Sequence, residues 1–309
     1  MLSIFFGSEE FLQKHQVSFS FRSTKMYEDG LSRRVRSEVP MYPLYFPNLS
    51  NLTVSSSAGS SRLHSIVGMF ARLVLTAPVF VYETFILFVL LRKLRPDILH
   101  INNGGYPGAL SARAAVIAGA LACVPATVMV VNNMAVGYDR IARKLGYPLD
   151  WIVAKLTDVF VTGSEVAARR LNIVLSRDPN QTHAIHNAIE LRDKLRTVDQ
   201  VRQELGLNGF DGTVFGVVAL LIPRKGHIVL LEAVAKVMND KRLSSHDICF
   251  LIEGDGPLRD ELVEFVAENN LQEVVRFVGH QDDIVGFMAM LDAVILPSVR
   301  DEDFPNVVL

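Results

Sequence analysis

The chain has 309 residues, half of them apolar, and a formal net charge of −2. That length holds two ordinary domains with cores of their own, and the near-neutral charge argues against nucleic acid as the main partner. The two cysteines, Cys123 and Cys249, sit in apolar runs without CxxC or Cys/His spacing, which argues against a disulfide framework or cysteine-ligated zinc; both are expected to be buried, reduced thiols.

The first stretch, MLSIFFGSEEFLQK, is too short in apolar length for a signal peptide and has no basic n-region. SRRVR at 32–36 reads as a solvated basic face, and SNLTVSSSAGSS at 50–61 as a loop. Residues 66–91, IVGMFARLVLTAPVFVYETFILFVLL, raise the membrane question. A spanning helix needs about 20 nearly uninterrupted apolar residues. Arg72 and Glu83 interrupt the run, and Pro78 is expected to kink or split it. A buried or partly interfacial helix is the expectation. Peripheral membrane attachment, with Arg92, Lys93 and Arg95 nearby, is the alternative.

From residue 97 short apolar runs alternate with helical patterns. DILHI, ATVMVV, DVFVTGS and THAIHN read as strands, separated by the helix ALSARAAVIAGALA, a helix through Trp151 and the helix EVAARRLNIVL. This rhythm predicts parallel βαβ units with helices packed on the sheet. Ligands in such sheets sit beyond the carboxyl ends of the strands, so the loops 102–108, 132–139, 162–165 and 186–190 are the ones to watch. A charged interval follows, with a domain boundary near 188–192. A second series then begins: TVFGVVALL, a helix over 225–239, DICFLIEG, a helix over 257–269, VVRFVG, a short helix over 283–290, and DAVILPS.

Three junctions of the second series carry polar groups. In LLIPRKGH, Arg224 and Lys225 stand at a helix entrance beside Gly226. Two cations at a helix amino terminus fit a diphosphate, although basic residues there are more often simply solvated. In IEGDGP, Gly254 and Gly256 allow tight turning and Pro257 suits the first helical position; a plain strand–helix turn is the blander reading. SVRDEDFPN is open between a solvated loop and a divalent-metal site.

Taken in order, GVVALLIPRKGHIVLLEAV, FLIEGDGPLRDEL, VRFVGHQDDI and AVILPSVRDEDFPNVVL resemble the donor-binding half of retaining nucleotide-sugar glycosyltransferases of the GT-B fold, the group-1 (family four) class. Its pattern is roughly G-R-L-x-x-x-K-G, then G-x-G-P, F-x-G and P-S-x-x-E-G-F-P. PDILHINNGGYPG, VTGSEVAARRL and AIHNAI agree more loosely with the other half, so the resemblance covers about residues 95–309.

The resemblance implies an α/β chain of two Rossmann-like domains, an acceptor-side domain over 1–188 and a donor-binding domain over 189–309. It gives Lys225 the donor's diphosphate, with Arg224 beside it because Leu220 stands where the family has an arginine. Glu302 would orient the sugar's hydroxyls, and the backbone around Asp303 and Phe304 would help hold sugar and diphosphate. Gly226, Gly254, Gly256 and Pro257 shape the donor loops, and Val278, Gly279 and His280 border the base. The acceptor-side candidates are Asn132, Asn133, Asn187 and His100; the last is expected to end a strand, where facing the cleft and serving as a satisfied structural histidine are equal alternatives.

The family's second glutamate would fall one position past Leu309, and its first strand and helix have no match, so truncation at both ends is expected. The chemistry implied is sugar transfer from a nucleoside-diphosphate sugar to a sugar, lipid-linked sugar or other hydroxyl acceptor, with retention. No cofactor and no metal are expected, and no nucleic acid. A cytoplasmic place is expected, with peripheral membrane contact at that face as the alternative. The alternatives are an inactive or purely nucleotide-sugar-binding chain and a sugar-nucleotide epimerase of the same fold. A dinucleotide dehydrogenase is disfavoured: Glu253 imitates a ribose-binding acid, but no G-x-G-x-x-G follows either first strand.

Overall fold

The computed structural model describes every residue except 1–8, 26–27, 29–30, 32–38, 48–61, 140, 190–192, 194 and 241–242. The basic run at 32–36 and the serine-rich run at 50–61 therefore lie outside the described residues. Two compact units emerge: Met1–Ile189 with Asp303–Asn306, and Glu190–Glu302 with Val307–Leu309.

Unit 1 opens with α1 (Glu9–Lys14) and a pair of parallel strands, β1 (Phe19–Arg22) and β2 (Met41–Leu44), in register from Phe19 opposite Met41. A long helix, α2 (Arg62–Leu94), leads into β3 (Ile98–Asn103), α3 (Leu110–Leu121), β4 (Ala126–Val131), α4 (Ile141–Leu145), α5 (Tyr147–Leu156), β5 (Val159–Thr162), α6 (Glu165–Leu175) and β6 (Thr182–Ala184). The four strands β3 to β6 lie side by side in chain order, all parallel. One core joins Leu87 and Leu91 of α2, the small residues Ala112, Ala114, Ala115 and Ala118 of α3, Val153 of α5 and Leu171 of α6 to Met129 and Phe160 of the sheet. Alanines on α3 let the neighbouring helix approach closely. α6 shows how locally such a helix is specified. Ser164 caps it by accepting from the Ala167 amide at 3.1 Å, its inner face is Ala167, Ala168, Leu171, Val174 and Leu175, and Ser176 closes it with a left-handed φ of 49°.

Two expectations fail in unit 1. Pro78 neither splits nor ends α2, which runs unbroken through it. One missing backbone hydrogen bond is tolerated because Glu83, Leu87 and Leu91, spaced by one turn, bury the helix against the unit. Leu75–Leu94 is long and apolar enough to cross a membrane by length and composition, yet this buried stripe packs on protein. Cys123 is exposed, not buried, because it occupies the turn after α3 with φ 61°; Cys249 is buried as expected.

Unit 2 contains α7 (Val198–Glu204), β7 (Thr213–Val218), α8 (His227–Asn239), β8 (Ile248–Glu253), α9 (Arg259–Glu268), β9 (Val275–Gly279), α10 (Ile284–Ala289) and β10 (Ala293–Val294). The parallel sheet runs β10-β7-β8-β9. One face is covered by α8 and α9 through Leu231, Val234, Leu262 and Val266, the other by α7 and α10 through Val201 and Phe287. All six residues of β8 are buried, as a strand covered on both faces requires. Pro257 is not the first residue of a helix. The Leu258 amide bonds to the Leu221 carbonyl at 3.1 Å and the Arg259 amide to Gly256 at 3.1 Å, so Pro257 lies in a turn and α9 begins at Arg259.

Candidate functional site

In unit 2 the loops beyond β7, β8 and β9 are hydrogen-bonded to one another. The Leu221 amide donates to Asp255 O at 3.0 Å and the Gly254 amide to Gly279 O at 3.1 Å. Gly254 has φ 123°, and a Cβ there would stand 2.1 Å from the Ala219 carbonyl oxygen, so only glycine allows these loops to close up. After β7 a single helical turn, Pro223–Lys225, ends on Gly226 with φ 70°, and α8 starts from it. A Cβ on Gly226 would meet the Pro297 carbonyl oxygen at 2.1 Å. The glycine thus lets this turn lie directly against the segment after β10, where the Val299 amide donates to Arg224 O at 3.0 Å.

That approach gathers four side chains. Lys225 Nζ donates to Glu302 Oε2 at 2.7 Å, Ser298 Oγ to the same oxygen at 2.7 Å, and Arg224 Nη1 to it at 3.2 Å. The ion-paired side chains are largely buried, with 13% exposure for Lys225, 25% for Arg224 and 21% for Glu302. Burial pushes the Glu302 carboxyl up, but the hydrogen bonds from Lys225 and Ser298 and the charges of Lys225 and Arg224 outweigh it and hold the group below the usual carboxylate range. The two cations stand beside the amino terminus of α8, where the helix dipole also favours an anion. Leu220 is 62% exposed on the same loop.

Of the remaining unit 2 candidates, Gly279 takes a left-handed φ of 65° with open space beside it, and Val278 packs against the core under α7 and α10. His280 Nδ1 lies 3.2 Å from Glu253 Oε1, which also accepts from the Gln281 amide at 3.1 Å. Glu253, buried at the end of β8, therefore ties down the loop carrying His280. Sequence reasoning missed this role, as it missed Ser298; the signal for the latter was a hydroxyl four residues before Glu302. His227, first in α8, is fully buried with neither ring nitrogen hydrogen-bonded, and burial followed by the Lys225 charge pushes its imidazole pKa down.

In unit 1 the asparagines knit loops. Asn132 Nδ2 donates to Asn102 Oδ1 at 2.6 Å and to Asn103 O at 3.0 Å, while Asn133 Nδ2 donates to Gly104 O. His100 does not end its strand. It is the third of six residues in β3, because the ladder with β4 continues to Asn103 opposite Val131. Asp303 and Phe304 also belong to this unit. The Asp303 carboxylate accepts from the Gly163 amide at 2.7 Å and from Ser164 Oγ, the Phe304 ring stacks on His186 with centroids 4.8 Å apart, and Asn187 Nδ2 donates to Phe304 O at 2.8 Å. Within their own units, Glu302 is engaged by cations and Asp303 by Gly163 and Ser164; among the described residues no group of three His, Cys, Asp or Glu side chains is set to hold a metal.

Unit 1 also encloses Asp150, fully buried. Tyr138 Oη donates to its Oδ2 at 2.9 Å, Arg113 Nη1 to its Oδ1 at 3.4 Å, and Arg143 pairs with Oδ2. A depression of about 400 Å³ beside it is lined by Tyr138, Lys144 and Tyr147.

Residues 212–309 match the family model described as "Glycosyl transferases group 1". A 2-deoxystreptamine glucosyltransferase from Streptomyces kanamyceticus is 27% identical over 222 residues, covering 68% of this chain and 56% of that protein; the chain thus spans little more than half the length of this relative. An O-antigen biosynthesis glycosyltransferase, WclY, from Escherichia coli is 30% identical over 126 residues, 40% of this chain and 33% of that protein. Among solved structures, Anabaena Alr3699/HepE in complex with UDP superposes with a TM-score of 0.66 at 16% identity, over 99% of this chain and 72% of that one. A UDP-N-acetylglucosamine 2-epimerase from Rickettsia bellii reaches 0.52 at 11% identity, over 95% of this chain and 70% of that one. The α/β fold, with parallel sheets flanked by helices, is that of the GT-B glycosyltransferases.

Proposed function

We propose that the chain is a retaining glycosyltransferase that moves a hexose from a nucleoside-diphosphate sugar to an acceptor hydroxyl during polysaccharide or glycoconjugate synthesis. The observation that carries this reading is the cluster of Arg224, Lys225, Ser298 and Glu302 at the entrance of α8, within the segment that matches the group 1 family model. Departure of a nucleoside diphosphate develops negative charge on the leaving oxygens. Two cations and a helix amino terminus stabilise that charge without a metal. Glu302 orients the sugar's hydroxyls, and the acceptor attacks the face the diphosphate leaves, so the anomeric configuration is kept.

UDP-glucose, named in a complex of the Anabaena protein, is the natural first probe. Release of UDP together with a glycosylated acceptor of unchanged anomeric configuration, seen by NMR and undiminished by EDTA, is the expected result. An epimerised nucleotide sugar without transfer favours the second reading, which the epimerase-like superposition motivates. Binding without turnover identifies a nucleotide-sugar-binding chain.

The same reading places the protein at the cytoplasmic face of a membrane, in peripheral contact. α2 packs on α3, and α3 on α5. The outward sides of α2 and α5 expose Val81, Phe85, Val89, Trp151, Ile152 and Leu156. The acids within Leu75–Leu94 and α5, Glu83 and Asp150, are both buried, while Arg92, Lys93 and Lys155 are exposed. Exposed apolar side chains on both helices, with cations near the helix ends, suit an anionic bilayer.

A further inference from the structure

We propose that Glu302 is the resident counter-anion of the diphosphate site, so that a donor binds by exchanging a carboxylate for its diphosphate on Lys225 and Arg224. The inference rests on the donor-site reading above and concerns how that site is held before a ligand arrives. Its basis is the convergence on one atom. Lys225 Nζ at 2.7 Å, Ser298 Oγ at 2.7 Å and Arg224 Nη1 at 3.2 Å all donate to Glu302 Oε2. The Lys225 side chain is only 13% exposed, so little water stands in for an anion around it.

A charge-assisted contact of this length is among the stronger polar contacts a protein makes. It must be broken before the ammonium can face a phosphate. A diphosphate brings more charge and more acceptor oxygens than one carboxylate, so it wins the exchange. The carboxylate then needs a new partner, and the hydroxyls of a donor sugar are such partners. An anion without a sugar displaces Glu302 from its two cations and supplies no hydroxyls in return. The exchange therefore makes the site discriminate: free pyrophosphate or a bare nucleoside diphosphate is held less well than the two cations alone would hold it, whereas a nucleotide sugar regains what the displacement loses.

Isothermal titration with inorganic pyrophosphate and with UDP separates this from the donor-site reading. Glu302→Gln keeps the shape of the side chain and removes its charge. Pyrophosphate should bind this variant about five- to tenfold more tightly than the original chain, the scale of one partly buried ion pair. That gain should disappear in Glu302→Gln/Lys225→Met, which no longer has the competed cation. Equal or weaker pyrophosphate binding by a Glu302→Gln chain with an unchanged circular dichroism spectrum overturns the exchange. UDP serves the other reading: if neither the original chain nor the variant prefers UDP to pyrophosphate, the nucleotide-donor assignment fails even where the pyrophosphate gain stands.

Discussion

Lys225 and Glu302 are 77 residues apart in the chain, yet Nζ lies 2.7 Å from Oε2. The contact exists because β10 pairs with β7, which brings the loops following both strands together, and because Gly226 has no Cβ to hold those loops apart. For Lys225 the consequence is direct. Replacing it by alanine removes the cation proposed to meet the diphosphate. UDP or UDP-glucose should bind about 1.5–3 kcal/mol more weakly, the scale of a hydrogen bond to a charged group, which calorimetry reads as roughly a ten- to 150-fold rise in Kd. Unchanged affinity removes Lys225 from the site.

Glu302→Gln should separate binding from turnover. Its proposed work is on the sugar, so the transfer rate should fall about 100-fold, as for the loss of one pre-organised polar group, while UDP still binds. Steady-state kinetics alongside titration makes the comparison, and a fully active variant defeats the assignment.

Asp150 is a test of the unit 1 core. It is fully buried, and Arg113 and Arg143 depend on it for charge, their Nε atoms having no hydrogen-bond partner. Asp150→Ala leaves two poorly hydrated cations behind and should cost about 3–5 kcal/mol of stability. A urea midpoint within experimental error of the original would show that the arginines find other anions.

Alkali should weaken the same cluster. Burial, then the Asp150 charge and hydrogen bond, push the Tyr138 phenol up to about 12, against about 10 in an unfolded chain. Between those values the folded protein holds a proton that the unfolded chain has lost. This contribution is therefore complete below about pH 10 and is lost as pH rises toward 12. Tyr138→Phe should flatten that decline in urea titrations. The residual slope belongs in part to Tyr106, whose phenol is raised chiefly by burial. An unaltered slope in the variant counts against the coupling.

Membrane contact is expected to be electrostatic and apolar at once. The original chain should sediment with vesicles containing phosphatidylserine and not with neutral ones. Phe85→Asp with Val89→Asp, both at exposed positions, should release it, as should high salt in part. Equal retention on neutral and anionic vesicles argues against a cationic rim.

Much of this molecule is written locally. The alternation of strand and helix from residue 97 onward depends on neighbours within a few residues, and a linear reading recovers it. What sheet order decides is invisible to that reading. No local feature says that β10 lies next to β7, and so none says that Ser298 and Arg224 share an oxygen of Glu302 with Lys225. The same holds for Asp303, one residue further on, whose carboxylate meets an amide and a hydroxyl 140 and 139 positions earlier. It holds also for His100, which the ladder with β4 sets in mid-strand and not at its end, and for Pro78, whose missing hydrogen bond is outweighed by a buried stripe on the same helix. Local periodicity specifies elements because backbone hydrogen bonds and side-chain facing repeat over a turn or a pleat. The grouping of charges is decided by which strand ends become neighbours, and only the packed sheet settles that.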